Sequence, residues 1–286
     1  MRIGVVGAAG FIGVHLRRSL EADGIHCTAV SSATGCFDPA TGVLAKLPVS
    51  SEPLAAVVYL SQSPYYREVP QQVPHLWAVN VLSALKAAEW ARHSGATRFV
   101  YASSGNVYRP AFDALSEEAP LRRDDWYALS KVQAEESLAV YRGQLMVTAA
   151  RLFGVFGPGQ RDKLVPNLIA SIRARRAILL QPHPTDGSDT GGIRLSLSYV
   201  ADVVDVLKRL ALGDGPPALN VAGPDALSVR EMASRIGARL GIAPVFSTDA
   251  VPRAGNLIAD RTKLSRGWPT RFHAFDDGLD VMLGAQ

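Results

Sequence analysis

Only two of the 286 residues are cysteines, Cys27 and Cys36, too few for a disulfide framework. A reducing compartment is the expectation, and with it a cytoplasmic chain. Long apolar runs are missing too. A membrane helix needs roughly 18 consecutive apolar residues, and the longest runs here, such as 55–60, are strand-sized. Met1-Arg2 leads straight into a strand pattern and a glycine loop, which does not read as a secretory leader. One-signed charge is scarce: 30 basic against 26 acidic residues leave +4. That mildly favours anionic small molecules and is too weak to argue for nucleic acid. Arg173, Arg175 and Arg176 end a helical pattern, where cations suit the helix dipole. The six histidines show no metal-ligand spacing, so no metal is expected. Trp77, Trp90, Trp126 and Trp268 read as packing residues, with Trp126 notable for preceding Tyr127. What remains is a chain 48% hydrophobic, without repeats or low-complexity tracts, that can bury a large α/β core.

Strand-like and helix-like segments alternate through the first half, which predicts a parallel, doubly wound sheet. Strands are expected at 3–6, 27–30, 56–60, 98–102 and 146–152, and helices at 11–22, 76–93 and 127–141. Ile12, Leu16 and Leu20 share a stripe on the first helix, and Gly95 is placed to cap the second. After Gly157-Pro158-Gly159 the texture changes. A helix is expected over 164–176, a polar loop over 183–192, and strands over 196–200 and 219–221 around a helix over 201–211. Ser228 with Glu231 forms a capping box. The expected fold class is a Rossmann-type α/β, doubly wound parallel sheet with a smaller C-terminal substrate lobe. Residues 1–162 with 195–212 would make the dinucleotide-binding domain, and 163–194 with 213–286 the lobe.

Gly7-Ala8-Ala9-Gly10-Phe11-Ile12-Gly13 lies between the first strand and the first helix. Glycines there permit a tight turn and let backbone amides approach a pyrophosphate at the helix's positive N-terminus. The first two glycines are one residue further apart than in the common dinucleotide fingerprint. The second strand should end in an acid that binds the adenosine ribose in NAD enzymes. Ser31 and Ser32 stand there instead, with no adjacent arginine for a 2′-phosphate, so the choice between NAD and NADP is open. Tyr127 and Lys131 sit four apart on a helix and share a face. A tyrosine titrates near 10, and a nearby ammonium favours its phenolate. Ser103-Ser104 follow the strand over 98–102, at the sheet end where ligands gather, and a hydroxyl there could hold the oxygen that Tyr127 protonates or deprotonates.

These motifs, in this order and spacing, resemble an extended short-chain dehydrogenase/reductase of the NAD-dependent nucleotide-sugar epimerase/dehydratase type. Phe99-Val100-Tyr101-Ala102-Ser103-Ser104, Val107-Tyr108, Asn80, the stretch from Arg151 to Pro158, Arg194 before Ser198-Tyr199-Val200-Ala201-Asp202, and Arg253-Ala254-Gly255-Asn256 carry the likeness further, over essentially the whole chain. The resemblance implies Tyr127 as acid/base, Lys131 as its electrostatic partner and ribose ligand, and Ser104 as the hydroxyl on the substrate oxygen. It implies a cofactor site of Gly7, Gly10, Phe11, Ile12, Gly13, Ser31, Leu60, Ser61, Asn80, Tyr127 and Lys131. Ser104, Arg194 and Arg253 would bind substrate, the arginines gripping a sugar-nucleotide diphosphate. Four departures bear on the substrate: a short segment between Ser31 and Val57, Gly154 in place of an asparagine, Ser61-Gln62-Ser63 in place of an alanine pair, and a long polar loop over 183–192.

The implied reaction is nucleotide-sugar epimerisation by transient oxidation of a sugar carbon, with NAD as cofactor and NADP left open. The family's 4,6-dehydratases carry an Asp-Glu pair after the catalytic hydroxyl, whereas Gly105-Asn106 follow Ser104 here, and neither exchanges a proton near neutral pH. The alternatives are an NADPH-dependent nucleotide-sugar (keto-sugar) reductase and a non-catalytic dinucleotide-binding sensor or scaffold. No nucleic acid and no membrane are expected as partners, and the resemblance implies a homodimer.

Overall fold

The computed structural model describes residues 1–49, 52–267 and 271–284. Two compact units divide the chain: 1–109, 119–152 and 203–220 form the first, and 110–118, 153–202 and 221–286 the second. The division falls inside a helix after Asp202 and inside a strand after Asn220.

In chain order the elements of the first part are β1 (Arg2–Val6), α1 (Phe11–Ala22), β2 (His26–Val30), β3 (Ala56–Tyr59), α2 (Val73–Trp77), α3 (Ser83–His93), β4 (Arg98–Ser104), α4 (Trp126–Ala139) and β5 (Met146–Leu152). There follow β6 (Val155–Phe156), α5 (Leu164–Arg173), β7 (Ile178–Leu180), β8 (Arg194–Ser196), β9 (Ser198–Tyr199), α6 (Val200–Leu212), β10 (Ala218–Val221), β11 (Ala226–Ser228), α7 (Val229–Leu240), β12 (Phe246–Thr248), α8 (Thr262–Gly267) and α9 (Phe275–Gly284).

The first unit is built on a six-stranded sheet in the order β10-β5-β4-β3-β1-β2. The β1–β2, β1–β3, β3–β4 and β4–β5 pairs are all parallel. Parallel strands covered on both faces read as continuous apolar runs. Accordingly, all four residues of β3 are buried. Helix α1 buries Leu16 and Leu20, and α3 presents Ala84, Ala87, Ala88 and Ala91, small enough for close approach to the sheet. Chain order reverses between β1 and β3, and the crevice beyond such a reversal is where these sheets bind ligands. The glycine loop after β1 and the segment Leu60-Ser61-Gln62 after β3 both emerge there.

Several elements depart from the sequence pattern. The helix expected over 76–93 begins at Val73 and contains a π-helical turn over Ala78–Leu82. Helix α5 stops at Arg173, and Arg175 has a positive φ of 51°. The strand expected over 196–200 breaks at Leu197 into β8 and β9, with Val200 already opening α6. Among the described residues between Val30 and Ala56 there is no sheet strand, so β2 is the sheet edge. Trp90 is buried, but Trp126 is 44% exposed and stacks edge-on against Trp77 rather than filling the core; Trp268 lies outside the described residues.

In the second unit, short strands pair as β8–β11 antiparallel and β7–β12 and β6–β9 parallel. Val165, Leu168, Ile169 and Ile172 of α5 and Met232, Ala233 and Ile236 of α7 are its buried helix faces. The capping box forms as expected: Ser228 Oγ accepts from the Glu231 N–H at 3.2 Å, and Glu231 Oε2 accepts from the Ser228 N–H at 2.7 Å. Among the described residues no helix is long and apolar enough to cross a membrane.

Candidate active site

The glycine loop is shaped by two different demands. Gly7 has φ +89°, and a Cβ there would lie 2.8 Å from the Ser61 backbone nitrogen. A Cβ on Gly13 would stand 2.2 Å from the Gly7 carbonyl oxygen, so the loop and α1 can close only with hydrogen in that place. Gly10 is different. Its φ of −74° and ψ of 170° suit any residue, and its Cβ would meet only Gly7 O, at 3.2 Å. The protein itself scarcely needs a glycine at 10. A side chain there would instead project where a ligand could approach the end of α1. Gly10 caps α1 with no side-chain bond, and no acid occupies the first turn, so Phe11, Ile12 and Gly13 offer their amides to an anion. A dinucleotide pyrophosphate fits this cradle.

Beside it, Leu60 N–H donates to Val6 O at 2.7 Å, which brings Leu60 and Ser61 against Gly7. Ser31 is buried at the end of β2, where its Oγ accepts from the Thr34 N–H at 3.3 Å and caps a short turn. Asn80, fully buried in the π-helical turn, is a brace with bonds in three directions. Its Nδ2 donates to Ser130 Oγ at 2.9 Å, its Oδ1 accepts from Ser63 N–H at 3.2 Å, and its carbonyl accepts from the Tyr101 hydroxyl at 3.1 Å. The π turn thus directs a polar side chain towards α4 and the segment after β3.

Ser104 ends β4, and Tyr127 and Lys131 lie one turn apart on α4. Asp125 caps α4 by accepting from Ala128 N–H at 2.9 Å, which sets Tyr127 in the first turn and Lys131 one turn on. The Tyr127 hydroxyl donates to Gln62 Oε1 at 3.1 Å, and the Ser104 hydroxyl is near enough to act on the phenol. Burial pushes the Tyr127 phenol up to about 12; the Ser104 hydroxyl pulls it down, and Tyr66 and Asp125 push it further up. Lys131 is 2% exposed, donates to Ala102 O at 2.9 Å and lies 4.7 Å from the Tyr101 ring centre. Burial lowers its ammonium to about 7, against the pull of the Glu135 carboxylate.

Sequence reasoning missed what stands behind this trio. Ser103 donates to Glu135, and Glu135 takes three contacts from Arg151 at 2.6, 3.1 and 3.2 Å. Arg151 also donates to the Tyr108 hydroxyl at 2.8 Å, which donates to Asn220 at 2.7 Å. The side chains of Glu135 and Arg151 are 9% and 6% exposed. This network ties the end of β4 to α4 and β5. The available signal was a glutamate four residues after Lys131, on the same helix face.

Arg194 and Arg253 lie in the second unit, and both guanidinium groups have protein partners. Arg194 pairs with Glu231 at 3.3 Å and donates to Ala226 O at 3.1 Å. Arg253 is buried, pairs with Asp189 of the 183–192 loop, and donates to Asn256 Oδ1 at 3.3 Å. The same Asn256 oxygen accepts from Arg194 N–H at 3.1 Å, so one amide ties the two segments together. Gly154 has its own reason: a Cβ there would stand 2.3 Å from Ser196 O, which rules out the asparagine that the resemblance leads one to expect.

A parallel doubly wound sheet, a glycine cradle at its reversal and a Ser-Tyr-Lys trio at the ends of β4 and α4 define a dehydrogenase-type α/β enzyme scaffold. The model of the NAD dependent epimerase/dehydratase family matches residues 3–222, and the chain belongs to that family. It is 31% identical over 247 residues to GDP-6-deoxy-D-mannose reductase of Pseudomonas aeruginosa, covering 81% of this chain and 77% of that one. It is also 31% identical over 306 residues to UDP-glucose 4-epimerase of Mycolicibacterium smegmatis, covering 94% and 93%. Among solved structures, MoeE5 in complex with UDP-glucose and NAD superposes with a TM-score of 0.81 at 26% identity, covering 100% of this chain and 98% of that one.

Proposed function

We propose that the protein is an NAD-dependent nucleotide-sugar epimerase in which Tyr127 both removes and returns the proton of one sugar hydroxyl. The observation that carries this reading is the placement of Tyr127 in the first turn of α4, with Lys131 one turn along the same helix and the Ser104 hydroxyl at the end of β4 near the phenol. Ser104 would hold the reacting sugar oxygen, and Tyr127 would accept its proton as phenolate. Lys131 would hold the cofactor ribose and stabilise that phenolate electrostatically. Bound NAD would supply reversible hydride acceptance. Gly7, Gly10, Phe11, Ile12 and Gly13 would seat its pyrophosphate, with Leu60, Ser61, Ser31 and Asn80 shaping the rest of its site. Residues 105–107 form a short turn without a titratable group, which supports epimerisation over elimination of water.

Arg194 and Arg253 would grip the substrate diphosphate in exchange for their carboxylate partners, making the second unit the substrate lobe. A cytoplasmic homodimer is the proposed form. The second reading, reduction of a keto-sugar with NADPH, is supported by the likeness to the Pseudomonas reductase and by a resting Tyr127 that carries its proton. The test is a panel of nucleotide sugars incubated in heavy water, with products read by mass and proton spectra. An epimerase changes one sugar centre without net cofactor consumption. Carbon-bound deuterium with loss of water would make it a dehydratase, and stoichiometric NADPH oxidation a reductase. Turnover should vanish in Tyr127→Phe while cofactor binding persists.

A further inference from the structure

Gln62 stands where the resemblance places a small apolar residue, and it touches the reacting oxygen. Its position is held from both sides. Leu60 is tied to β1, and Ser63 N–H is held by Asn80 Oδ1. The same Asn80 donates to Ser130 Oγ, which in turn donates to the Tyr127 carbonyl at 2.8 Å. One buried asparagine therefore fixes the backbone at both ends of the 3.1 Å hydrogen bond between Tyr127 and Gln62. Tyr66, four residues on, packs its ring 5.4 Å from that of Tyr127 and closes the same side.

We propose that Gln62 is a further catalytic residue: its side-chain carbonyl takes the Tyr127 hydrogen bond whenever the sugar oxygen is away. This rests on the epimerase reading above and deepens it. An epimerase must let its ketone turn between the two hydride transfers. During that interval the ketone oxygen leaves Tyr127, which is neutral and carries the proton taken from the sugar hydroxyl. A half-buried hydroxyl that loses its acceptor loses a hydrogen bond, and Gln62 supplies a fixed one. The proton stays on Tyr127 throughout, because a carboxamide is far too weak a base to take it. When the ketone presents its other face, Tyr127 swings from Gln62 to the ketone oxygen and returns the same proton as the hydride comes back.

The sign of the effect is distinctive. An acceptor stabilises the protonated tyrosine, whereas the Ser104 hydroxyl stabilises the phenolate. The other groups facing Tyr127 are Tyr66, Tyr101 of β4, and Asp125 and Lys131 of its own helix, and none of them is altered by a change at 62. Gln62→Met keeps the side-chain length and removes the acceptor. The loss of one hydrogen bond to the neutral form raises the Tyr127 acid constant by about two- to tenfold.

The experiment is a stopped-flow alkaline jump on the protein without cofactor, reading phenolate absorbance before unfolding, with Tyr127→Phe subtracted in each background. Gln62→Met should titrate at lower pH than the parent, and Ser104→Ala at higher pH. In the NAD-loaded enzyme, Gln62→Met should move the acid limb of the pH–rate profile down by the same amount. Its kcat should fall about fivefold with KM little changed, because the lost contact belongs to the turning intermediate. If Gln62→Met does not fold, Gln62→Ala carries the same comparison with a smaller shift, since water enters as a substitute acceptor. A titration that is unmoved or raised overturns the role of Gln62. Turnover surviving in Tyr127→Phe would instead remove the epimerase reading, so the two failures are told apart.

Discussion

Gly10 and Gly13 sit three residues apart in one loop, and the structure gives them opposite reasons to be glycine. A Cβ at 13 would lie 2.2 Å from Gly7 O and 2.9 Å from two Ala8 backbone atoms, none of which can swing aside. Overpacking of this kind costs about 1–3 kcal/mol, which exceeds the roughly 1 kcal/mol that alanine gains over glycine inside a helix. A 2.2 Å approach to backbone belongs at the upper end of that range, so Gly13→Ala should lower stability by about 2 kcal/mol. At 10 the backbone is already in a conformation open to any residue, and a Cβ meets one atom at 3.2 Å. Replacing a glycine cap by an apolar residue costs about 0.5–1 kcal/mol, partly offset by the reduced freedom of the unfolded chain. Gly10→Leu should then leave stability within about 1 kcal/mol of the parent. Its side chain projects in front of α1, where each charge-assisted bond to a phosphate is worth about 1.5–3 kcal/mol. Losing even two such bonds weakens NAD by about 100-fold or more. Urea unfolding and calorimetry with NAD separate the two effects. Undiminished NAD affinity in Gly10→Leu would refute the cradle, and an unchanged midpoint in Gly13→Ala would refute the packing argument.

Glu135→Gln should cost about 3 kcal/mol of stability, because it leaves Arg151 charged and uncompensated in the interior. Replacing both partners by methionine should recover most of that loss, and a single variant within about 1 kcal/mol of the parent in urea unfolding would refute the reasoning. Lys131→Met should be more stable than the parent by roughly 2–4 kcal/mol at about pH 6, because burial holds the native ammonium near 7 against 10.5 for a free lysine. Between those values the unfolded chain binds a proton that the native chain does not. The parent therefore gains stability as pH rises through the window, and the difference from Lys131→Met closes towards pH 10; a constant difference would contradict the burial penalty.

The sheet was legible in the sequence because parallel strands buried on both faces are unbroken apolar runs, and β1, β3 and β5 fall within a residue of the expected bounds. Helix α1 matches its expected span at both ends, since a glycine loop and an Asp-Gly turn punctuate it. Local pattern could not reveal the π turn at 78–82, because apolar spacing at Val79 and Leu82 fits an α-helix nearly as well. Tyr127 and Lys131 stood out through their fixed separation on one helix. Gln62 and Arg151 stood out only as motif positions, and their bonds to Tyr127 and Glu135 were not legible, because those partners lie 65 and 16 residues away in the chain. The break at Leu197 has the same origin: Ser198 Oγ donates to Phe153 O at 2.6 Å, a tertiary bond that overrides strand propensity.

The two arginines of the second unit will not answer the same mutational question, although the sequence presents them as equals. Arg253 has a side chain 1% exposed, with the Asp189 carboxylate and the Asn256 amide as partners. A buried guanidinium needs a negative partner whether or not substrate is bound, and removing it strands that partner. Arg253→Ala should therefore damage folding, and any loss of binding that accompanies it says little about contact with a ligand. Arg194 is 38% exposed and its partner Glu231 is 44% exposed. Such a pair is worth about 0–1 kcal/mol, and the capping box of Ser228 and Glu231 stays intact without it. Arg194→Ala should leave the urea midpoint nearly unchanged. If Arg194 grips a diphosphate in exchange for Glu231, the variant should bind a nucleoside diphosphate about tenfold or more weakly, the equivalent of one charge-assisted bond beyond the pair it replaces. NAD affinity should not change, because the glycine cradle belongs to the first unit. Calorimetry with both ligands reads this directly, and unaltered nucleoside-diphosphate affinity in a folded Arg194→Ala would remove the arginine from the substrate site.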